Sequence, residues 1–566
     1  MIRKLVLLAS ILFLGLPGSY LVWEHFSGKR HLARTIAKLR AAGETLEIDP
    51  LAPPQPSSAS NGLPRLQRIV PLLADGARLN PPAMECITPG RALTFAQRKS
   101  WEIGSRQSTD WTEVSDWIAS AATNLSEIRS ALAMPDCRQQ LDYSQGFSLS
   151  LPHLAQLKAA AMALSTSAAV AAHGGQLNQA LADLSAIDRC VSNLGRDPVI
   201  ICQLVSVAVA SIAMNRTWDI LHAQPWTDEQ LRGIADSLPS DDFLRNTLVS
   251  LEGERALGLV SMRSLKPHQV DELLGGMNAA LGGAAPPTLA VPTTLDEASE
   301  LAGELTSVLA ETLRKHVFRR LWHFAFHDHA VAVYLESFQL FLESHRQCIA
   351  ARRIPPPAGD LLELLLSRSD SRVRNWTPNA YAEATLPTLQ AAVSRPFRTD
   401  IQRTLLRLDI ALQRYKLRHH QFPPTLQELV PDFLPAVPLD PADGKPFHYQ
   451  LESPDASPKL WSSGENGVDD GGDASPSADS TVGAHNWWRG KDAVWPQPAS
   501  TSDIAAAESK ERRVRTASPI TATSSSGSNR FVMSPELMKR YGLLPKSPDT
   551  TTPPSPPAAD TNEPPK

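Results

Sequence analysis

The stretch that decides the fold begins Phe397-Arg-Thr-Asp-Ile-Gln-Arg-Thr-Leu-Leu-Arg-Leu-Asp-Ile-Ala-Leu-Gln-Arg-Tyr415 and continues to about residue 498. Its large apolar residues recur at spacings of four and three, which places them on one face of a helix that we predict over Arg398–His420. These residues are Ile401, Leu405, Leu408, Leu412 and Tyr415. An apolar face of this size must be covered, so we expect residues 396–498 to fold as one small α+β unit.

The segment after this helix carries the signals of short elements. In Phe422-Pro-Pro-Thr-Leu-Gln-Glu-Leu429, Thr425 and the glutamate three residues later predict a capping box, and Pro431 ends the turn of helix that they open. Alternation of apolar and polar residues over 447–451 predicts a half-buried strand, with Lys459–Ser462 as its hairpin partner.

An acidic, glycine-rich loop follows: Ser463-Gly-Glu-Asn-Gly-Val-Asp-Asp-Gly-Gly-Asp473. Its side chains supply the hard oxygen ligands that Ca²⁺ prefers, and its glycines let the backbone turn carbonyl groups inward. The candidate ligands are Asn466, Asp469, Asp470 and Asp473, with Glu465 beside them. A solvated acidic turn would have the same composition, so both interpretations stay open.

Four segments of this stretch occur in an order that resembles the globular head of the major pseudopilin (the G protein) of type II secretion systems. They are 411–415, 422–429, Pro438-Leu-Asp-Pro-Ala-Asp-Gly-Lys-Pro446 and 463–469, and the resemblance covers about 100 of 566 residues. The whole chain also resembles bacterial membrane-anchored proteins that carry such a head. The resemblance implies an extracytoplasmic head that holds calcium in the acidic loop. The chain departs from the family because it lacks the Gly-Phe-Thr-Leu-Ile-Glu-like processing site and places about 370 residues before the head.

The N-terminus predicts a membrane anchor. Leu5–Trp23 is a run of 19 uncharged residues, long enough to span a bilayer. A cleaved signal peptide is the alternative, since Pro17-Gly18-Ser19 could end its apolar region. We interpret residues 1–45 as a signal-anchor transmembrane helix with its stalk, and residues 46–62, rich in proline and serine, as a linker.

The basic residues on either side of this run do not agree with the resemblance on which side of the membrane the body lies. Five basic residues follow it and two precede it, which by the positive-inside rule would keep the body in the cytoplasm. The short basic leader and the resemblance favour an extracytoplasmic body. The five could instead form one face of a helix whose apolar stripe is Leu32, Ile36 and Leu39, or rest on anionic lipid. They are Lys29, Arg30, Arg34, Lys38 and Arg40.

Residues 63–395 have the pattern of an α-helical body. We predict helices over Leu154–His173, Gln176–Leu194 and Pro198–His222, and another after Thr227 as its N-cap. A loop is expected over 275–294, then two long helices within 301–354, and a disordered tail over 499–566. Within the tail, residues 530–544 have apolar spacing suited to docking. The fold class is therefore mainly α.

The body contains two candidate motifs for metal binding or a buried polar pair, and neither is specific. His323 and His327 have the spacing of two metal ligands on a helix, but the glutamate of a His-Glu-x-x-His motif is missing. An aromatic face with polar tips explains them better. The acidic and basic residues at 252–255 could be a buried polar pair, although a solvated helix face is the simpler expectation.

The five cysteines include no Cys-x-x-Cys pair. Outside the cytoplasm, a disulfide between Cys86 and Cys137 would staple a region with few aliphatic residues. Cys190 and Cys202 lie among aliphatic residues and are expected as buried thiols.

The sequence therefore predicts a non-enzymatic, membrane-anchored structural or interaction protein of the bacterial envelope, with envelope or secretion proteins as partners. The rival hypothesis is an envelope enzyme with its site in the helical body 63–395. The formal net charge of −4 gives no case for nucleic acid, and neither a phosphate-binding loop of the Walker type nor Gly-x-Gly-x-x-Gly occurs.

Overall fold

A computed structural model describes residues 2–73, 84–98, 101–103, 107–266, 295–354, 380–453, 456–476 and 487–517. The described chain is mainly α, as expected, with short strands in three small sheets. Its helices are α1 Ile2–Ala41, α2 Leu63–Ile69, α3 Trp111–Ser120, α4 Ala122–Leu132, α5 His153–His173, α6 Leu177–Gly195, α7 Ile200–Leu221, α8 Asp228–Asp236, α9 Phe243–Ser264, α10 Leu295–Ala350, α11 Ala380–His419 and α12 Thr501–Ala517. Its strands are β1 Glu85–Thr88, β2 Arg91–Leu93, β3 Trp101–Ile103, β4 Gln107–Thr109, β5 His448–Gln450, β6 Lys459–Ser462, β7 Ala493–Val494 and β8 Gln497–Pro498.

The helices at the centre of the body agree closely with those predicted from the sequence. Helices α5, α6 and α7 begin and end within two residues of the predicted bounds. The α5–α6 hairpin turns at Gly174-Gly175, where Gly175 has a positive φ of 74°. Thr227 caps α8 through its side chain, which accepts the Gln230 N–H. These predictions are confirmed. They succeeded because each rests on a signal in the residues beside the turn or helix end.

Helix α11 is longer than predicted. It begins at Ala380 rather than Arg398 and continues through Pro387 and Pro396. Prolines usually end or kink a helix, which is why the sequence favoured a start after Pro396. Leu389 and Val393 are buried with residues of α10, so packing holds this first part of α11 in place.

The apolar face of α11 is buried, as expected. All five of its predicted residues, from Ile401 to Tyr415, are less than 9% exposed. They lie in one core with Trp218 of α7 and Leu460 of β6, so the helix packs on the body as well as on the C-terminal strands. Residues 396–498, which we call the C-terminal module, therefore share this core with the body. The predicted boundary between them at 395/396 falls inside α11.

The predicted hairpin is confirmed in the C-terminal module. Strands β5 and β6 pair antiparallel, with Tyr449 opposite Leu460, and β7 adds a third antiparallel strand. The capping box is wrong, because the short 3-10 helix Leu426–Leu429 has no side-chain cap from Thr425. That helix ends before Pro431, as expected.

The chain after the module returns to the N-terminal part of the body. Strand β8 pairs in parallel with β2, placing Arg91 opposite Gln497. Helix α12 follows and lies against β1, with Arg91 and Asp503 3.9 Å apart. The predicted disordered tail therefore begins with an ordered helix. The remainder of the tail, including 530–544, lies outside the described residues, as does the whole predicted loop 275–294.

Helix α1 runs parallel to α10 and connects the apolar N-terminal run to the body. His25 Nδ1 lies 2.7 Å from the Phe324 carbonyl oxygen, and Thr35 donates to Glu336 Oε1 at 2.7 Å. Leu39 is buried while Leu32 and Ile36 are half-buried, so the expected apolar stripe faces α10. The five basic residues from Lys29 to Arg40 are exposed on the other side. Residues 301–354 form one continuous helix to Ala350 rather than the predicted two.

Among the described residues, two helices, α5 and α7, are long and apolar enough to cross a membrane. Of their apolar stretches, 67% and 72% are buried inside the protein, as also happens in the core helices of soluble domains. The side chains of residues 2–17 in α1 lie outside the described set.

Candidate functional site

Polar side chains converge where the turn 438–446 meets the end of β6. Asp440 is completely buried and accepts hydrogen bonds from the Ala442 N–H, the Ser462 hydroxyl and the Ser463 N–H at 2.9–3.0 Å. Gly444 closes the turn with a φ of 77° and donates its N–H to the Asp440 carbonyl. Burial raises the pKa of the Asp440 carboxyl. Asp440 thus fastens the turn to the sheet.

His448 lies between two carboxylates. Its Nε2 is 3.2 Å from Asp443 Oδ2 and 3.1 Å from Ser463 Oγ, while its Nδ1 is 3.3 Å from Asp469 Oδ2. The ring stacks on Trp461 with centroids 5.4 Å apart. The ligand atoms of Asp440, Asp443 and His448 lie within 4.8 Å of one another, which is close enough for them to share a cation.

His448 contacts Ser463 through Nε2 and Asp469 through Nδ1, as the histidine of a Ser-His-Asp hydrolase triad does. The surroundings of the three side chains do not suit catalysis. Ser463 is completely buried, so no substrate reaches its hydroxyl. Its N–H donates to the Asp440 carboxylate and is therefore not free to stabilise an oxyanion. The arrangement is a polar clamp between the turn and the sheet.

Three of the four predicted calcium ligands, Asn466, Asp469 and Asp473, have side chains engaged with separate partners. Asn466 Oδ1 accepts the Val468 N–H, and Asp469 Oδ1 accepts the Trp461 indole N–H and the Gly471 N–H. Asp473 pairs with Lys491 at 2.8 Å, which lowers the pKa of its carboxyl. Among the described residues, the carboxylates of Asp469, Asp470 and Asp473 do not gather within 4.8 Å of one another.

A residue outside the predicted set organises the loop. Asp492 is completely buried and accepts the backbone N–H groups of Asp470, Gly472 and Asp473 at 2.7–3.2 Å. Burial still raises the pKa of the Asp492 carboxyl. The loop therefore presents N–H groups to an anion at this point. Calcium binding by the loop, which would use carbonyl and carboxylate oxygens, stays a prediction.

Neither a family model, nor a curated protein, nor a solved structure matches this chain. The resemblance to the pseudopilin head consequently rests on the four sequence segments alone and stays a prediction.

Calcium binding can be tested at Asp469. We expect Asp469→Ala to lower the free energy of unfolding by about 1 kcal/mol without calcium, because the Trp461 and Gly471 N–H groups lose their acceptor near the surface. If the loop binds calcium, the penalty should grow in millimolar calcium and return to the smaller value in excess chelator. Equal penalties in both conditions, measured by urea unfolding, would contradict the calcium prediction.

The two histidines of α10 belong to a packed face. His323 Nε2 lies 2.9 Å from the Leu265 carbonyl oxygen, and the His323 and His327 rings stack with centroids 4.5 Å apart. Among the described residues, no third histidine, cysteine or carboxylate forms with this pair a group whose ligand atoms all lie within 4.8 Å of one another. The aromatic-face interpretation fits this geometry.

The residues at 252–255 are not a solvated face, so that expectation is wrong. Arg255 is completely buried and donates to Glu44, the Thr45 carbonyl and Gln339. Arg346 of α10 bridges Glu44 and Glu252. This polar network, which we call the Glu44 network, joins the end of α1 to α9 and α10. No pattern in the sequence indicated it because the bonded partners from different parts of the chain are 84 to 302 positions apart.

All five cysteines are free, so the predicted Cys86–Cys137 disulfide is not formed. Cys86 and Cys137 are both buried, and burial raises the pKa of each thiol to about 12. Cys190 and Cys202 are buried thiols, as expected.

Proposed function

We propose that the chain is a membrane-anchored structural or interaction protein of the bacterial envelope, with its body outside the cytoplasm. In this proposal the helical body holds the C-terminal module at a fixed position above the membrane. Envelope proteins, including secretion machinery, would be the partners.

The observation that carries the proposal is the continuity of α1. This helix runs from Ile2 to Ala41 and so joins the apolar run Leu5–Trp23 directly to the part packed on α10. Just after this continuous helix, Glu44 accepts hydrogen bonds from Arg255 and Arg346 of the body, so the anchor would be held to the body without a flexible joint.

Exposed apolar side chains at the end of the run support the same proposal. They occur on α1 and on the adjoining part of α10, where the His25 and Phe324 rings stack 4.3 Å apart. Aromatic residues followed by basic ones are typical of a membrane–water interface, and Lys29 and Arg30 come next. The exposed residues are Tyr20, Val22, Trp23, Phe26, Val317, Leu321 and Phe324.

The enzyme alternative requires ionisable groups that converge on an accessible pocket. In the described body, His153, Asp197 and Cys202 do converge, but each is at most 2% exposed. This burial favours a structural role over turnover of a substrate.

The anchor can be tested by membrane fractionation. We expect the full chain to stay with membranes after a carbonate wash, and Leu12→Arg combined with Leu14→Arg to release it. Each charge near the centre of a span costs about 2.5–3.5 kcal/mol on insertion scales. Lys29→Ala combined with Arg30→Ala is the matched control and should leave the chain bound. Release of the unchanged chain by carbonate would contradict the anchor.

The side of the membrane is tested separately by reporters fused to the C-terminus of the full chain. A phosphatase that works only outside the cytoplasm should be active, and a reporter that fluoresces only inside should be dark. The opposite pattern would show that the basic residues after the run set the orientation.

A further inference from the structure

We infer that His153, Asp197 and Cys202 form a buried site for a zinc-type divalent cation in the helical body. The inference is independent of the proposed function and of the side of the membrane on which the body lies. It rests on how His153 meets Asp197 and Cys202, which come from a later stretch of the chain, at one end of the central helices.

Three elements bring these residues together. His153 is the first residue of α5, Asp197 lies in the turn between α6 and α7, and Cys202 lies in the first turn of α7. The turn is fixed from the other side by Gly253 of α9, where an added Cβ would meet the Pro198 carbonyl oxygen at 1.9 Å. The three side chains are 1%, 2% and 0% exposed.

The cluster leaves polar atoms without partners. His153 Nε2 lies 3.9 Å from Asp197 Oδ2, too far for a hydrogen bond. Both ring nitrogens of His153 and Oδ2 of Asp197 are buried and make no hydrogen bond. Buried polar groups are nearly always satisfied, so unpaired atoms that face each other here indicate a missing partner.

The separations suit one ion. The three ligand atoms lie within 4.8 Å of one another. Two ligands about 2.1 Å from a tetrahedral zinc ion are about 3.4 Å apart, so the gap of 3.9 Å needs only a small movement. A direct hydrogen bond between His153 Nε2 and Asp197 Oδ2 would require a similar movement, but it would leave the Cys202 thiol without a partner in the cluster.

The other oxygen of Asp197 is already held. Asp197 Oδ1 lies 3.3 Å from the Tyr143 hydroxyl, which donates to it, and 3.6 Å from Arg138 Nη1. Contacts to the oxygen that does not bind the metal orient a carboxylate ligand, and here they leave Oδ2 directed at His153.

The donor set selects the metal class. One imidazole nitrogen, one carboxylate oxygen and one thiolate match zinc, whereas calcium and magnesium bind oxygen ligands. Three protein ligands leave a fourth position for a water molecule. In a site this buried the ion would join α5 to the α6–α7 turn rather than act on a substrate.

The test uses the full chain, purified without chelator, with metal content measured by mass spectrometry. We expect about one zinc per chain, and a fall of at least about tenfold in Cys202→Ser. Cys190→Ser is the matched control, because Cys190 is also completely buried but lies outside the cluster. It should keep the metal.

Cobalt reconstitution supplies a second readout. The wild-type chain and Cys190→Ser should show a thiolate-to-cobalt charge-transfer band that Cys202→Ser lacks. If Cys202→Ser fails to fold by circular dichroism, Asp197→Asn carries the same metal measurement. Absence of both zinc and the cobalt band from the wild-type chain would overturn the site, as would full zinc content in a folded Cys202→Ser or Asp197→Asn.

Discussion

Replacing Trp495 with alanine is expected to lower the free energy of unfolding by about 4 kcal/mol, because a fully buried tryptophan is lost from the shared core. Trp495 is 1% exposed, and its N–H donates to the Leu460 carbonyl at 2.8 Å. Its indole N–H donates at 3.0 Å to Asp409, a buried carboxylate of α11 that also lies 3.2 Å from His222 Nε2. Truncation therefore opens a cavity and removes a donor from Asp409. Urea unfolding followed by circular dichroism measures the change.

Two variants separate these causes. Trp495→Phe keeps most of the ring but removes the indole donor, so it should cost about 1–3 kcal/mol. Trp487→Ala removes the half-buried neighbouring ring, 5.4 Å from Trp495 between centroids, and should cost less than Trp495→Ala. Equal effects of Trp487→Ala and Trp495→Ala would contradict the placement of Trp495 in the core.

Replacing Glu44 with glutamine is expected to cost about 3 kcal/mol at pH 7 and to loosen α1 from the body. The Glu44 side chain is 9% exposed and accepts hydrogen bonds from Arg346, Arg255 and Gln339. Removing one partner of a buried ion pair costs about 3–5 kcal/mol, and we expect the lower end because Arg346 is a third exposed. Glu47→Gln is the control. Glu47 pairs with Arg40 but is 71% exposed, so its loss should cost about 0–1 kcal/mol.

The Glu44 effect should depend on pH in one direction. The hydrogen bond from Arg346 lowers the pKa of the Glu44 carboxyl from its ordinary value of 4.5 to about 2. A carboxyl with a lowered pKa stabilises the fold above its unfolded pKa, and this stabilisation is lost as the pH falls toward the folded pKa. The difference between wild type and Glu44→Gln should therefore be full above pH 4.5 and shrink toward pH 2. A difference that stays constant over this range would contradict the ion-pair explanation.

Local signals predicted the local elements. The Gly174-Gly175 turn and the Thr227 cap set the ends of α5 and α8 within two residues, because each acts on the backbone beside it. The alternation around Tyr449 likewise identified the hairpin of β5 and β6. For α11 the same reasoning failed, since Pro387 and Pro396 argue locally against a helix that packing on α10 maintains.

The candidate sites were harder to predict because they combine distant residues. The acidic loop stood out by composition, yet Asp492, which holds its backbone, lies about twenty residues later. A signal for the clamp was present in the Asp-Pro-Ala-Asp-Gly turn, whose Asp440 and Asp443 meet His448. His153, Asp197 and Cys202 carry no spacing that marks a metal site, and only the packing of three helices brings them together.

Native-state hydrogen exchange on the full chain tests the shared core most directly, with Trp495→Ala compared to wild type. The slowest amides of α7, α11 and β6 should exchange through one common opening, and the substitution should lower their protection by the same free energy. If protection falls in β6 while α7 and α11 keep theirs, the C-terminal module unfolds separately and the shared core is contradicted.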